Sequence, residues 1–150
     1  MPKPPERKTP IALCLYLPPH DSSAIRRFEE KETPTKNIWP LKDIVEFVFP
    51  SQYQSRQHII ALEFLRLLEK KESVKGKEIA DFLKENRFSK ATFYGNVLKK
   101  LKRLGMVKVK RVGRELDVSL SKTFGNYLLK ISDSWLSFVD EVRSRREYGR

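Results

Sequence analysis

The sequence predicts a mainly helical domain closed by a small β-hairpin, an α+β arrangement with an extension at each end. Three observations carry this reading: apolar residues recur at helical spacing in three successive segments of 57–104, two short runs after Gly105 alternate apolar with polar side chains, and the positive charge of the chain is concentrated in this same region. The 150 residues, 39% of them hydrophobic, suffice for one core with appendages and fall short of two ordinary domains. The expected organisation is an N-terminal extension over 1–50, a domain over 51–121 and a C-terminal helix over 122–150.

The first helix of the domain is expected over 57–68, with Ile60, Phe64, Leu67 and Leu68 on its inner side and Ile59, Ala61 and Leu65 widening the stripe. Lys70 and Lys71 follow, where cations suit the negative pole of the helix dipole. Ser73-Val74-Lys75-Gly76 breaks the pattern, and Ile79, Ala80, Phe82 and Leu83 mark a short second helix over 77–86. Ser89 is placed to cap a third helix over about 90–104, with Tyr94, Leu98, Leu101 and Leu104 inward and Ala91, Phe93 and Val97 flanking. Gly105 supplies the left-handed stop. The alternating runs 106–112 and 115–120, turned by Val112-Gly113-Arg114, then read as an antiparallel hairpin.

Helix, helix, helix, hairpin is the plan of a winged helix-turn-helix domain. The stretch KGKEIADFLKENRFSKATFYGNVLKKLKRLGMVKVKRVGRELDVSLS, residues 75–121, resembles the winged helix-turn-helix regulators of bacteria and archaea, in the broad style of the MarR and ArsR families. The resemblance lies in the "EIA" of the second helix, the capped third helix, and the L-x-x-L-x-x-L-G-hydrophobic-V passage into the wing. It implies a DNA-binding transcription regulator. Two departures stand out: Phe88 and Ser89 lie about one residue off the usual turn register, and Gly95 sits inside the third helix at a cost of about 1 kcal/mol relative to alanine.

Charge points the same way. Lys and Arg total 31 against 19 acidic residues, for a net charge of +12. Residues 56–120 hold 17 basic and 8 acidic groups, whereas 1–55 carry only +1 and 121–150 only +2. No acidic residue lies between Glu85 and Glu115, a window containing ten cations. A solvated helix face normally interleaves both signs, so an acid-free run argues for a surface that meets phosphate. In this plan the third helix enters the major groove with its N-terminal half, and Lys90, Thr92, Gly95, Asn96 and Lys99 point away from the core. Asn96 suits adenine, Thr92 a thymine methyl or phosphate, and Lys90 guanine or backbone. Lys99, Lys100, Lys102 and Arg103 are expected on phosphates, with Lys108, Lys110, Arg111 and Arg114 of the wing on the backbone or minor groove.

After the wing, Phe124, Leu128, Ile131, Trp135, Phe138 and Val142 form an uninterrupted heptad stripe, expected to be buried against a second copy in a homodimer. The charged tail 143–150 is expected to fray. In the N-terminal extension, proline-rich 1–10 reads as extended, 11–17 as a buried or edge strand, 20–30 as a short helix, 33–40 as loop and 43–49 as a short helix or strand. The seven-residue apolar run 11–17 is too short to span a bilayer, so no membrane partner and a cytoplasmic location are expected.

Nothing in the sequence marks catalysis or a cofactor. His20 and His58, the only histidines, fit no metal-ligand or nucleophile-base spacing and read as surface or half-buried side chains. The single cysteine, Cys14, reads as a buried apolar thiol, excluding an intramolecular disulfide and a cysteine-based zinc cluster. No metal site and no catalytic residue is expected, and no convergent polar set marks an effector pocket. The functional expectation is therefore sequence-specific binding of double-stranded DNA. Its rivals are a winged-helix module for RNA or for a replication, transcription or translation complex, and a nonspecific DNA-coating protein.

Overall fold

The computed structural model describes residues 13–22 and 39–148. The expected extended stretch 1–10, most of the helix expected over 20–30 and most of the 33–40 loop lie outside these residues. Within them the order is α1 (Leu41–Val48), α2 (Ser55–Lys71), β1 (Ser73–Lys75), α3 (Gly76–Asn86), a third domain helix α4 over 90–104, β2 (Val107–Val112), β3 (Glu115–Leu120) and α5 (Thr123–Tyr148). The fold is mainly helical with one small antiparallel sheet, as the composition of the segments predicts. No described helix is long and apolar enough to cross a membrane.

α2 is the central element. Its buried arc is wide, carrying Ile60, Ala61, Phe64, Leu65 and Leu68 because α1, α4 and the sheet all pack on it. Ile59 lies opposite that arc and is 51% exposed, so it does not widen the core as expected. The helix stops at Glu72, whose φ of 63° turns the chain while its N–H bonds the Leu68 carbonyl. On α3, Ile79, Phe82 and Leu83 are buried at i, i+3 and i+4; Ala80, about 100° further round, is exposed rather than inward.

The expected break at 73–76 is in fact a strand. β1 pairs with β3 through Ser73↔Ser119, Val74↔Val118 and Lys75↔Asp117, so the sheet has three strands in the order β1-β3-β2 rather than two. Val74 and Val118 face each other at the bottom of the core, both fully buried. β2 and β3 run in register from Val107↔Leu120 to Val112↔Glu115, joined by Gly113 and Arg114 alone. Gly113, with φ 66°, fits the tight two-residue hairpin turn that requires a left-handed residue.

Aromatic packing joins the helices: Phe64 meets Phe93 edge-on with centroids 4.9 Å apart and Phe82 at 5.8 Å. Edge-to-face contacts of this kind add about 0.5–1.5 kcal/mol each to the burial term. Val45, Val48 and Phe49 of the α1 region enter the same core. His58 is buried, not a surface or half-buried side chain, and its Nδ1 lies 2.9 Å from the Phe49 carbonyl oxygen, tying α2 to the end of α1.

The 11–17 run is not a strand over its described part, 13–17. It lies extended against α1 with one ladder-like bond, from Tyr16 N–H to the Phe47 carbonyl at 2.7 Å, and Pro18-Pro19 ends any continuation. Leu13 and Leu15 turn toward the protein, and the alternation of an extended chain leaves Cys14 exposed, contrary to the buried thiol expected.

Candidate nucleic-acid interface

The third domain helix begins as expected. Ser89 caps it, its Oγ accepting the Thr92 N–H at 3.3 Å, and Gly105 ends it at φ 82°. Gly105 is required twice over: a Cβ there would sit 2.9 Å from Thr123 Cγ2 in addition to the left-handed strain.

Between these ends α4 is not uniform. α-Helical turns at Lys90–Thr92 and Leu98–Leu104 flank a π-helical turn at Phe93–Val97, closed by the Leu98 N–H on the Phe93 carbonyl. A π turn accommodates one more residue than an α turn and shifts the phase of everything around it. Phe93, Val97, Leu98 and Leu101 are buried, and Leu104 is half-buried. Tyr94 and Ala91 therefore do not belong to the inner face as expected: Ala91 is exposed and Tyr94 is 38% exposed, its ring edge-on to Phe93 at 5.0 Å. Partial burial raises the Tyr94 hydroxyl above its ordinary pKa, keeping it a neutral donor. The turn thus presents three consecutive exposed residues, Tyr94, Gly95 and Asn96. At Gly95 an added Cβ would meet nothing within 4 Å, so no close packing within the protein requires a glycine there.

Of the expected contact residues, Lys90, Gly95, Asn96, Lys99 and Arg103 are exposed and Thr92 is half-buried. Gly95, Asn96, Lys99 and Arg103 line one side of a groove of about 410 Å³, whose other side is Leu13, Cys14 and Tyr16 with Gln54 and Gln57 at the start of α2. A convergent polar set does exist here, between the N-terminal segment and α4. Lys90 lies apart, in a depression with Arg56, Lys84 and Arg87. On the hairpin Lys108, Lys110, Arg111 and Arg114 are all exposed, the last two at the loop end. Among the described residues the Lys and Arg ion pairs are Arg66–Glu63, Lys71–Glu78 and Arg145–Glu141, so none of these α4 and hairpin cations is paired with a described carboxylate. Glu115, at the edge of the acid-free window, instead accepts the Lys77 N–H at 3.2 Å at the start of α3.

Lys100 is the exception and corrects the expectation of a phosphate contact. Its Nζ donates to the Val48 carbonyl at 2.6 Å, at the C-terminal end of α1, and lies 5.2 and 5.1 Å from the ring centres of Tyr16 and Phe49. The site suits a cation through the helix dipole and the ring quadrupoles, while burial lowers the pKa of the amine. Lys100 holds α1 and the N-terminal segment to α4. Sequence reasoning also missed Tyr94, misphased by the π turn, and Arg56, Gln54 and Gln57, which only the packing of α2 brings beside α4. The polar start of the first helix was the one available signal for the last three.

α5 leaves the domain immediately. Its first turn is anchored by the Phe124 N–H on the Gly105 carbonyl at 2.9 Å, and the Phe124 side chain packs on the core of its own domain. Beyond Leu128 the stripe is open, with Ile131, Trp135, Phe138 and Val142 between 40% and 63% exposed. Trp135 and Phe138 pack on each other at 5.6 Å. The helix continues to Tyr148 instead of fraying at 143, and the Arg145–Glu141 pair spans its last turns. Comparison with protein-family models, with curated proteins and with solved structures finds no match to this chain.

Proposed function

We propose that the protein is a winged helix-turn-helix transcription regulator that binds double-stranded DNA in a sequence-specific manner as a homodimer, in the cytoplasm. The order helix, strand, helix, helix, strand, strand, with the first strand paired to the last, is the connectivity of that fold class, and α3 and α4 stand as its helix-turn-helix. The observation that carries the reading is the exposed face of α4: Gly95, Asn96, Lys99 and Arg103 share one groove and lie outward with no carboxylate partner among the described residues. Asn96 offers the bidentate amide that reads adenine, and the lysines and Arg103 neutralise phosphates. Arg111 and Arg114 at the hairpin tip reach the adjacent backbone or minor groove.

A specific feature favours a second reading. Tyr94 is a partly exposed ring on the same helix as Lys90, Lys99 and Arg103, and aromatic rings on a cationic element are what single-stranded nucleic acids stack on. A gel-shift titration with random duplex DNA, single strands and duplex RNA, followed by selection from a random duplex library, separates the readings. An enriched inverted repeat is the expected result; tighter binding to single strands or RNA, or no enrichment, refutes the proposal. With about three to five phosphates neutralised per subunit, the dimer should show a logarithmic salt slope of roughly −5 to −9.

A further inference from the structure

The open stripe of α5 bears on the geometry of the proposed dimer as well as on its presence. Its heptad spacing allows either a parallel or an antiparallel partner, and the sizes of the side chains decide between them. In a parallel pair, Trp135 would face Trp135 and Phe138 would face Phe138 in adjacent layers. Two bulky aromatic layers would then sit between narrower ones of Ile131 and Val142, so no single interhelical distance would pack the whole seam. In an antiparallel pair centred on Asp133, each open layer joins a larger side chain to a smaller one, Trp135 with Ile131 and Phe138 with Leu128, while Phe124 stays on the core of its own domain. The summed volume per layer is then nearly constant, which is what close packing requires.

Three further observations select the same arrangement. Shifting the antiparallel register by one heptad toward the C-terminus would put Trp135 against Phe138 in both central layers and bring the charged Arg145 onto Leu128, and shifting it the other way would require Phe124, which packs on its own domain, to face Trp135. Parallel pairing would also set Arg143, Arg145 and Arg146 beside their own copies, whereas antiparallel pairing sends the two basic ends apart. The flanking positions Ser132 and Ser134 are small and uncharged, so nothing bulky holds the helices apart at the centre. The open seam side chains Ile131, Trp135, Phe138 and Val142 are each 40–63% exposed, a contiguous apolar face that a second copy would cover.

We infer that α5 pairs with α5 of a second copy in antiparallel fashion, on a twofold axis crossing the helix at Asp133. This rests on the dimeric reading above and adds its geometry. Each domain leaves the seam at Phe124, nine residues from the axis. The two attachment points therefore stand roughly 27 Å apart along the helices, at opposite ends of the seam.

The test needs no nucleic acid, so its failure and that of the DNA-binding reading are distinguishable. A single spin label is placed at Ser144→Cys in a Cys14→Ser background; both positions are exposed. Dipolar spectroscopy on the full chain, with the mass checked by sedimentation, then measures the distance between labels. Ser144 lies eleven residues from the proposed axis, so the antiparallel dimer gives about 35–45 Å, of which roughly 33 Å is helix rise. A dimer with a distance below about 25 Å is parallel and overturns the inference. A monomer with no dipolar signal at micromolar protein also overturns it. If the expected distance is found but random and selected duplexes are both ignored, the inference stands and the proposed function falls.

Discussion

Two helices of this chain carry long apolar stripes, and only one of them is covered. On α4, Phe93, Val97, Leu98 and Leu101 are buried by α2 and the sheet, leaving the outward face polar and cationic. On α5, a stripe at equally regular spacing ends in Trp135 at 63% exposure and Phe138 at 55%. The pattern in sequence is the same kind of signal in both cases. What differs is supply: among the described residues, elements pack over the inner face of α4 and none covers α5 beyond Leu128. An apolar stripe specifies that something must cover it, and the rest of the chain decides whether the cover is internal.

The largest effects should come from treating the two stripes alike. Phe93→Ala removes a fully buried ring at the centre of the aromatic cluster and should cost about 3–5 kcal/mol of domain stability by thermal or denaturant unfolding. Ile131→Glu with Trp135→Glu should leave the circular dichroism of the domain intact and convert the dimer to monomer in sedimentation. Operator affinity should fall by roughly 100-fold or more as the second head loses its tether. If Phe93→Ala instead changed assembly, or the α5 variant unfolded the domain, the contrast would be wrong.

Next come the two neighbouring lysines. Lys99→Ala should weaken duplex binding several-fold and make the salt slope shallower by about one per subunit, with stability unchanged within ~0.5 kcal/mol. Lys100→Met should do the reverse: little change in salt slope, but a measurable loss of stability as α1 and the Tyr16 segment lose their tie to α4. Equal salt effects at both positions would contradict the inward, carbonyl-bound placement of Lys100.

Gly95→Ala is the sharper test of the α4 face because two effects oppose. Open space around the Cβ and the higher helix propensity of alanine predict a gain of up to about 1 kcal/mol in stability. Close approach of a duplex to the bare backbone predicts a loss of affinity. A variant that binds as tightly as wild type removes Gly95 from the interface. The smallest effect concerns Glu46. Burial opposes its charge, but hydrogen bonds from Ser51 and the nearby His58 and Lys42 outweigh it and hold the carboxyl below its ordinary pKa. A lowered pKa contributes stability above the ordinary carboxylate range, and that contribution disappears as pH falls through the lowered value. Glu46→Gln should therefore be less stable at neutral pH by under about 1 kcal/mol after solvent screening, with the gap closing in acid.

The parts legible in the sequence are those fixed within a few residues: the Ser89 cap, the Gly105 stop, the Gly113 reversal and the heptad of α5. What escaped depends on distant partners. β1 is three residues long and exists because β3, more than forty residues on, supplies its ladder. Lys100 is half-buried and tied inward by a carbonyl 52 residues away. Tyr94 was misplaced for a different reason: a constant 100° step carries it inward, and the π turn breaks that constancy. The expected contact set therefore holds for Lys90, Asn96, Lys99 and Arg103 as exposed positions and fails at Lys100.

The hairpin turn has a mechanical consequence. With two residues between paired strands, the tip has no slack, and each strand spans roughly 20 Å from the core to Arg114. Arg111 and Arg114 therefore travel as the end of a stiff lever. They lose little freedom on contact, and a small tilt of the sheet becomes a displacement of several ångströms at the guanidinium groups.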